Sequence, residues 1–132
     1  MAETFQVDLV APERRLSSVQ ATEVQIPGAE GDLTAMPGHA PMITTLRPGI
    51  LRIGAAGATT AFVVTGGFAE INGTAVSILA EQAIPIAEAN PGVIDRMVAE
   101  AQSLAAVALP EDRATAEKLV ADIQALRAQI AA

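Results

Sequence analysis

The feature that most limits the fold is a set of three Pro-Gly steps, Pro27-Gly28, Pro37-Gly38 and Pro48-Gly49, spread between Ile26 and Ile53. Proline fixes φ near −65° and removes a backbone donor, so a regular helix cannot run through any of them. Glycine in the next position tolerates the positive φ that a type II turn needs. The apolar runs between the steps, at 33–36, 42–46 and 49–53, are too short for helices and long enough for strands. The stretch is therefore predicted to fold back on itself several times. Turns stiffened by proline also lose little ordering entropy when they meet a partner.

Strand patterns continue on both sides. Phe5, Val7 and Leu9 alternate with Thr4, Gln6 and Asp8, which predicts a half-buried strand over 4–10 that turns at Ala11-Pro12-Glu13-Arg14. Two more strands are predicted over 16–21 and 22–26, with Val24 and Ile26 alternating against Glu23 and Gln25. After a small-residue loop over 54–58 come strands at 59–65 and 68–71, separated by Gly66-Gly67 as a tight turn or bulge. Asn72-Gly73 predicts a hairpin with a type I′ turn, because both central residues of that turn need φ > 0. The strand over 74–79 pairs back, with Val76 and Ile78 on one face, and 84–86 ends the run. About ten short strands with turn residues at close intervals predict an antiparallel β-sandwich or flattened barrel.

The pattern changes at Asn90. Asn90-Pro91 combines a good N-cap with proline at the first helical position. Ile94, Met97, Val98, Ala101, Leu104, Ala105 and Ala108 then recur at spacings of three and four. Leu109-Pro110 breaks this helix, and Pro110 opens a second one with Glu111 and Asp112 in its first turn, where the helix dipole favours negative charge. Leu119, Ile123, Leu126 and Ile130 form its apolar stripe. Two amphipathic helices on a short connection predict an antiparallel hairpin. The expected organisation is α+β: a β-sandwich over 1–88 followed by a two-helix hairpin over 89–132.

Composition narrows the function classes. Phe5, Phe62 and Phe68 are the only aromatic residues, so the core is aliphatic. A net charge of −7 argues against nucleic acid and against an anionic lipid surface. The chain has no cysteine, hence no disulfide, thiolate nucleophile or thiolate metal site. The N-terminal residues are acidic and alternating, unlike a signal or transit peptide, and no apolar run reaches the length of a membrane span. A soluble, cytoplasmic chain is expected.

Catalytic signals are weak. His39 is the only histidine, and it sits in the Pro37–Pro41 turn with no nucleophile and acid at triad spacing, so it reads as a structural or contact residue. One histidine with scattered carboxylates gives no metal-ligand spacing. Gly66-Gly67 lacks the lysine and the following helix of a phosphate loop. Glu30 and Asp32, in a glycine-flanked turn, read as a solvated acidic turn or an acidic contact patch. No cofactor is expected.

Particular residues go further. Ile26-Pro27-Gly28 with Glu30-Gly31-Asp32, then Pro37-Gly38-His39-Ala40-Pro41, Leu46, Pro48-Gly49 and Leu51-Arg52-Ile53, resemble the epsilon subunit of bacterial F-type ATP synthase, which is homologous to the mitochondrial delta subunit. Phe62 to Ile71 and Val76 to Ala80 continue the likeness in register, and it spans essentially the whole chain. The resemblance implies a non-catalytic rotor subunit on the cytoplasmic face of the bacterial inner membrane. It implies a sandwich at the foot of the central stalk, against gamma and the polar loops of the c-ring, with Glu30, Asp32 and His39 facing those loops.

The resemblance also implies a regulatory hairpin, which in its extended form reaches the alpha and beta subunits and blocks ATP hydrolysis. Several relatives bind ATP at Ile/Leu-Asp-x-x-Arg-Ala in the first helix. Here the pattern is degenerate: Ile94, Asp95, Val98 and Ala99 stand at the motif positions, and Val98 replaces the arginine. Arg96 lies about 200° away around the helix and is no simple substitute. The hairpin carries four cationic against six acidic side chains, which disfavours both ATP sensing and strong inhibition. From another function class, a free-standing ligand-binding sandwich with a helical lid is the alternative.

Overall fold

The structure, a computed structural model, describes residues 3–12, 14–55 and 57–131; the predicted turn residue Glu13 and the loop residue Ala56 lie outside them. The chain divides into two compact units, Met1–Ile86 and Ala87–Ala132. The first contains β1 (Phe5–Ala11), β2 (Arg14–Ala21), β3 (Glu23–Gly28), β4 (Gly31–Ala35), β5 (Met42–Thr45), β6 (Gly49–Ala55), β7 (Ala58–Ile71) and β8 (Ala75–Pro85). The second contains α1 (Pro91–Ala106) and α2 (Arg113–Ala131), preceded by a 3-10 turn at Ile86–Glu88.

The fold class is the α+β arrangement expected, with eight strands among the described residues rather than about ten. The difference arises at two joins. The runs predicted at 59–65 and 68–71 form the single strand β7, and those at 74–79 and 84–86 form β8. Strands β7 and β8 pair antiparallel in one unbroken register from Ile71↔Val76 to Phe62↔Pro85. What breaks at Gly66-Gly67 is the inward-facing parity. Phe62 and Val64 point into the core before the two glycines, Ala69 and Ile71 after them. On the partner strand Val76, Ile78 and Ala80 face inward, while beyond the same point it is Ala83 that packs on the core. Both glycines have positive φ, 57° and 97°. A side chain at Gly67 would overlap the Leu79 carbonyl oxygen, 2.0 Å from an ideal Cβ. The period-2 signal therefore changes phase mid-strand, which resembles a strand end when only the sequence is read.

The strands run in the order β2-β1-β8-β7-β6-β3-β4, with β5 also paired to β7. The N-terminal half of β7 pairs with β6, and its C-terminal half with β5. The sheet folds over so that β2 touches β6, and Thr22 donates its backbone N–H to Gly54 O at 2.8 Å. The two facing layers enclose one aliphatic core that includes Phe5, Val7, Leu9, Val24, Ile26, Leu51, Ile53 and Ile78. The alternation predicted for β1, β3 and β8 holds in the burial of these residues.

One pairing departs from an all-antiparallel sandwich: β1 lies parallel to β8, with Gln6 opposite Ala75. Parallel neighbours need a long crossover, and here the chain from β2 to β7 supplies it. Such a distant pairing leaves no mark on local sequence pattern. The Asn72-Gly73 hairpin is present without a type I′ turn, since Gly73 does not take positive φ. Asn72 Oδ1 instead accepts from the backbone N–H groups of Thr74 and Ala75, each at 2.9 Å, closing the loop with its side chain.

In the second unit the cap is as the sequence predicts: Asn90 Oδ1 accepts from Val93 N–H at 3.0 Å, with Pro91 opening α1. Ile94, Met97 and Ala101 are buried on α1, Ile123 and Leu126 on α2. Leu104, assigned to the stripe by spacing, is exposed, because the buried face ends at Ala101. Helix α2 starts at Arg113 rather than Pro110. Residues 110–112 form a turn closed by Asp112 N–H to Leu109 O at 2.9 Å. Asp112 O accepts the first helical bond from Ala116 at 3.0 Å, so Glu111 and Asp112 precede the helix instead of occupying its first turn.

Candidate interaction surface

The Pro-Gly steps divide into two kinds. Only Pro37-Gly38 forms the predicted type II turn: His39 N–H donates to Met36 O at 3.0 Å, and Gly38 has φ 88°. This turn is pinned at 3.0 Å by Gly38 N–H to Gly73 O. Pro27-Gly28 and Pro48-Gly49 are not turns. Gly28 ends β3 and Gly49 starts β6, and neither has positive φ. These glycines allow close approach: a Cβ on Gly49 would lie 2.6 Å from Pro27 Cβ.

The true turn near Pro27 is Ala29-Glu30. Gly28 pairs with Gly31, so these two residues form the tip of the β3–β4 hairpin, and Glu30 is exposed there. Backbone bonds hold the tip. Ala29 N–H donates to Thr45 O at 2.9 Å, Arg47 N–H to Pro27 O at 3.0 Å, and Leu46 N–H to Gly67 O at 2.9 Å. Asp32, read from sequence as one half of a free acidic pair, is ion-paired with Arg47. Sequence reasoning missed Arg47; its place before Pro48, between β5 and β6, was the available signal, because proline restricts the backbone of the residue that precedes it.

Of the three predicted surface residues, Glu30 and Asp32 lie together and His39 does not. Strand β4 separates them, spanning about 13 Å at roughly 3.3 Å per residue. His39 is half-buried, with Nδ1 2.7 Å from Ala40 O. Strand β5 lies between the two ends, pairing Thr45 with Phe68 and Met42 with Ile71. Its Ile43 is 70% exposed, and the cross-strand neighbours Phe68 and Leu79 are also exposed, an apolar strip that periodicity alone could not separate from core. On β1 and β2, hydrogen bonds from Ser18 and then Gln6 hold the Asp8 carboxyl below its ordinary pKa.

At the positions of the nucleotide motif that the resemblance implies, Ile94 is fully buried, Val98 half-buried and Ala99 exposed. Asp95 is exposed and ion-paired with Arg127 of α2. Among the described residues no group of three or more His, Asp or Glu side chains could hold a metal ion.

This geometry defines a class of protein: a small β-sandwich bearing tied-down surface turns, in one chain with a two-helix hairpin. Residues 4–86 match the family model for the β-sandwich domain of the ATP synthase delta/epsilon chain. The chain is 61% identical over 128 residues to the ATP synthase epsilon chain of Fuscovulum blasticum, covering 97% of each. It is 59% identical over 128 residues to the ATP synthase epsilon chain 1 of Cereibacter sphaeroides, again covering 97% of each. Among solved structures, its fold matches a chain in the cryo-EM structure of Euglena gracilis mitochondrial ATP synthase (OSCP/F1/c-ring) with TM-score 0.75 and 22% identity, over 98% of this chain and 83% of that one. The chain belongs to the ATP synthase delta/epsilon family.

Proposed function

We propose that this protein is a non-catalytic rotor subunit of a proton-translocating F-type ATP synthase, coupling the c-ring to gamma in the central stalk. The observation that carries this reading is the likeness to epsilon chains over 97% of both chains, at 61% identity. In this reading the sandwich docks on gamma and on the polar loops of the c-ring. The Glu30–Asp32 tip and the His39 turn form the c-ring side, and their backbone ties to β5 and to Gly73 suit a part that transmits torque without slipping. The hairpin is the regulatory part and reaches the alpha and beta subunits when extended. No helix among the described residues is long and apolar enough to cross a membrane. In this reading the chain is held at the cytoplasmic face of the inner membrane by the complex.

The test is reconstitution. An ATP synthase purified without this chain should show ATP hydrolysis poorly coupled to proton transport, and adding the chain back should restore coupling in a saturable way. Unchanged coupling with and without it, and no co-purification with gamma, would point to the free-standing ligand-binding alternative.

A further inference from the structure

We propose that Arg47 is a positioning residue that withdraws Asp32 from the docking charge of the acidic turn, leaving Glu30 as the one carboxylate there that addresses a partner. The inference deepens the docking reading above and rests on it. Arg47 is held from both ends. Its backbone N–H donates to Pro27 O at 3.0 Å, and its neighbours Leu46 and Pro48 are buried. Its side chain is only 29% exposed and lies over Gly49, where an added Cβ would sit 3.4 Å from Nη1. From there Nη2 reaches Asp32 Oδ1. Pro27 and Asp32 face each other across the β3–β4 ladder, and the Pro27 carbonyl points away from β4, toward Arg47. Arg47 takes hold of both residues of the rung, the carbonyl with its backbone and the carboxylate with its guanidinium.

The charge presented by the tip follows. Asp32 is 77% exposed but already ion-paired within the subunit. Glu30, at the apex of the two-residue turn, is exposed and makes no ion pair among the described residues. The matching partner surface is a loop offering one donor group, cationic or amide, opposite Glu30, rather than a doubly charged basic patch. Asp32 and Arg47 fix where that donor must stand.

A charge swap separates the roles. Full-length chains carrying Asp32→Arg, Arg47→Asp, both together, or Glu30→Lys are titrated against the assembled rotor at two salt concentrations. Each single change is expected to weaken binding by about tenfold, as misplaced rim charges do. The swap should return to within about threefold of the unaltered chain, since the pair is restored with its polarity reversed. Glu30→Lys should weaken binding in every background. A swap that binds as poorly as Asp32→Arg alone, with all variants folded by circular dichroism, overturns the proposal, because Asp32 would then address the partner directly. A second arm uses the isolated chain, where thermal unfolding should show both singles less stable than the swap. That arm does not need docking. If the unaltered chain does not bind the rotor at all, the docking reading fails, and the isolated chain still decides whether Arg47 holds Asp32.

Discussion

A Gly67→Ala chain is expected to lose at least about 3 kcal/mol of folding stability, one of the largest effects a single methyl group can have in this protein. Two independent costs coincide. The residue has φ 97°, a backbone conformation that L side chains rarely adopt. An ideal Cβ there would also lie 2.0 Å from the Leu79 carbonyl oxygen and 2.9 Å from Ala80 Cα, all backbone of the paired strand. Relief would require β7 and β8 to part at the point where the inward-facing parity changes. For a unit of this size the melting temperature should fall by roughly 12 °C or more. Gly66→Ala is the internal control. It also has positive φ, but the atoms nearest its Cβ belong to the Glu81 side chain, which can swing away, so a smaller loss is expected. Thermal melts of the two variants within a few degrees of each other, or of the unaltered chain, would show that the β7–β8 pairing does not depend on Gly67.

ATP is expected to bind this chain weakly or not at all. A triphosphate needs converging cationic donors, and arginine serves best through its bidentate fork. At the motif position where the resemblance implies an arginine stands Val98, half-buried beside the Ile94–Met97 stripe. The neighbouring motif residue Asp95 is committed to Arg127, which also occupies a cation that the second helix could otherwise offer. Losing one charge-assisted hydrogen bond typically costs about 1.5–3 kcal/mol, roughly 10- to 150-fold in affinity. Isothermal titration with ATP, with and without magnesium, is the direct check. Saturable binding at micromolar concentration or below would restore the hairpin as an ATP sensor. Without such binding, any control of hydrolysis has to come from mechanical docking of the hairpin or from another protein.

What the sequence made legible is what local pattern encodes. Alternation at Phe5/Val7/Leu9 and at Val76/Ile78, the Asn90 cap and the Ile123/Leu126 stripe all carry their meaning in neighbouring residues, and the structure has them where the pattern put them. What escaped depends on distant partners. The parallel β1–β8 pair joins segments with no shared local signal. Gly28 and Gly49 looked like turn glycines because Pro-Gly is a turn dipeptide, yet their lack of a side chain serves the approach of two strands. The acidic turn was visible as two carboxylates, but Arg47, fifteen residues beyond Asp32, was needed to see that one of them is already paired. The family resemblance supplied what neither pattern nor spacing could, namely the complex in which such turns would have a use.

The account rests on the sandwich being the docking unit, and a truncated chain tests that most directly. A chain ending at Glu88 retains every strand, both proline-tied turns and the Arg47–Asp32 pair. Its assembly with gamma and the c-ring, and the proton-coupled ATP synthesis of the resulting complex, would be measured beside the full-length protein. The account predicts assembly and coupled synthesis close to those of the intact chain. Loss of assembly in a truncated chain that circular dichroism shows to be folded would contradict it and move the docking surface to the hairpin.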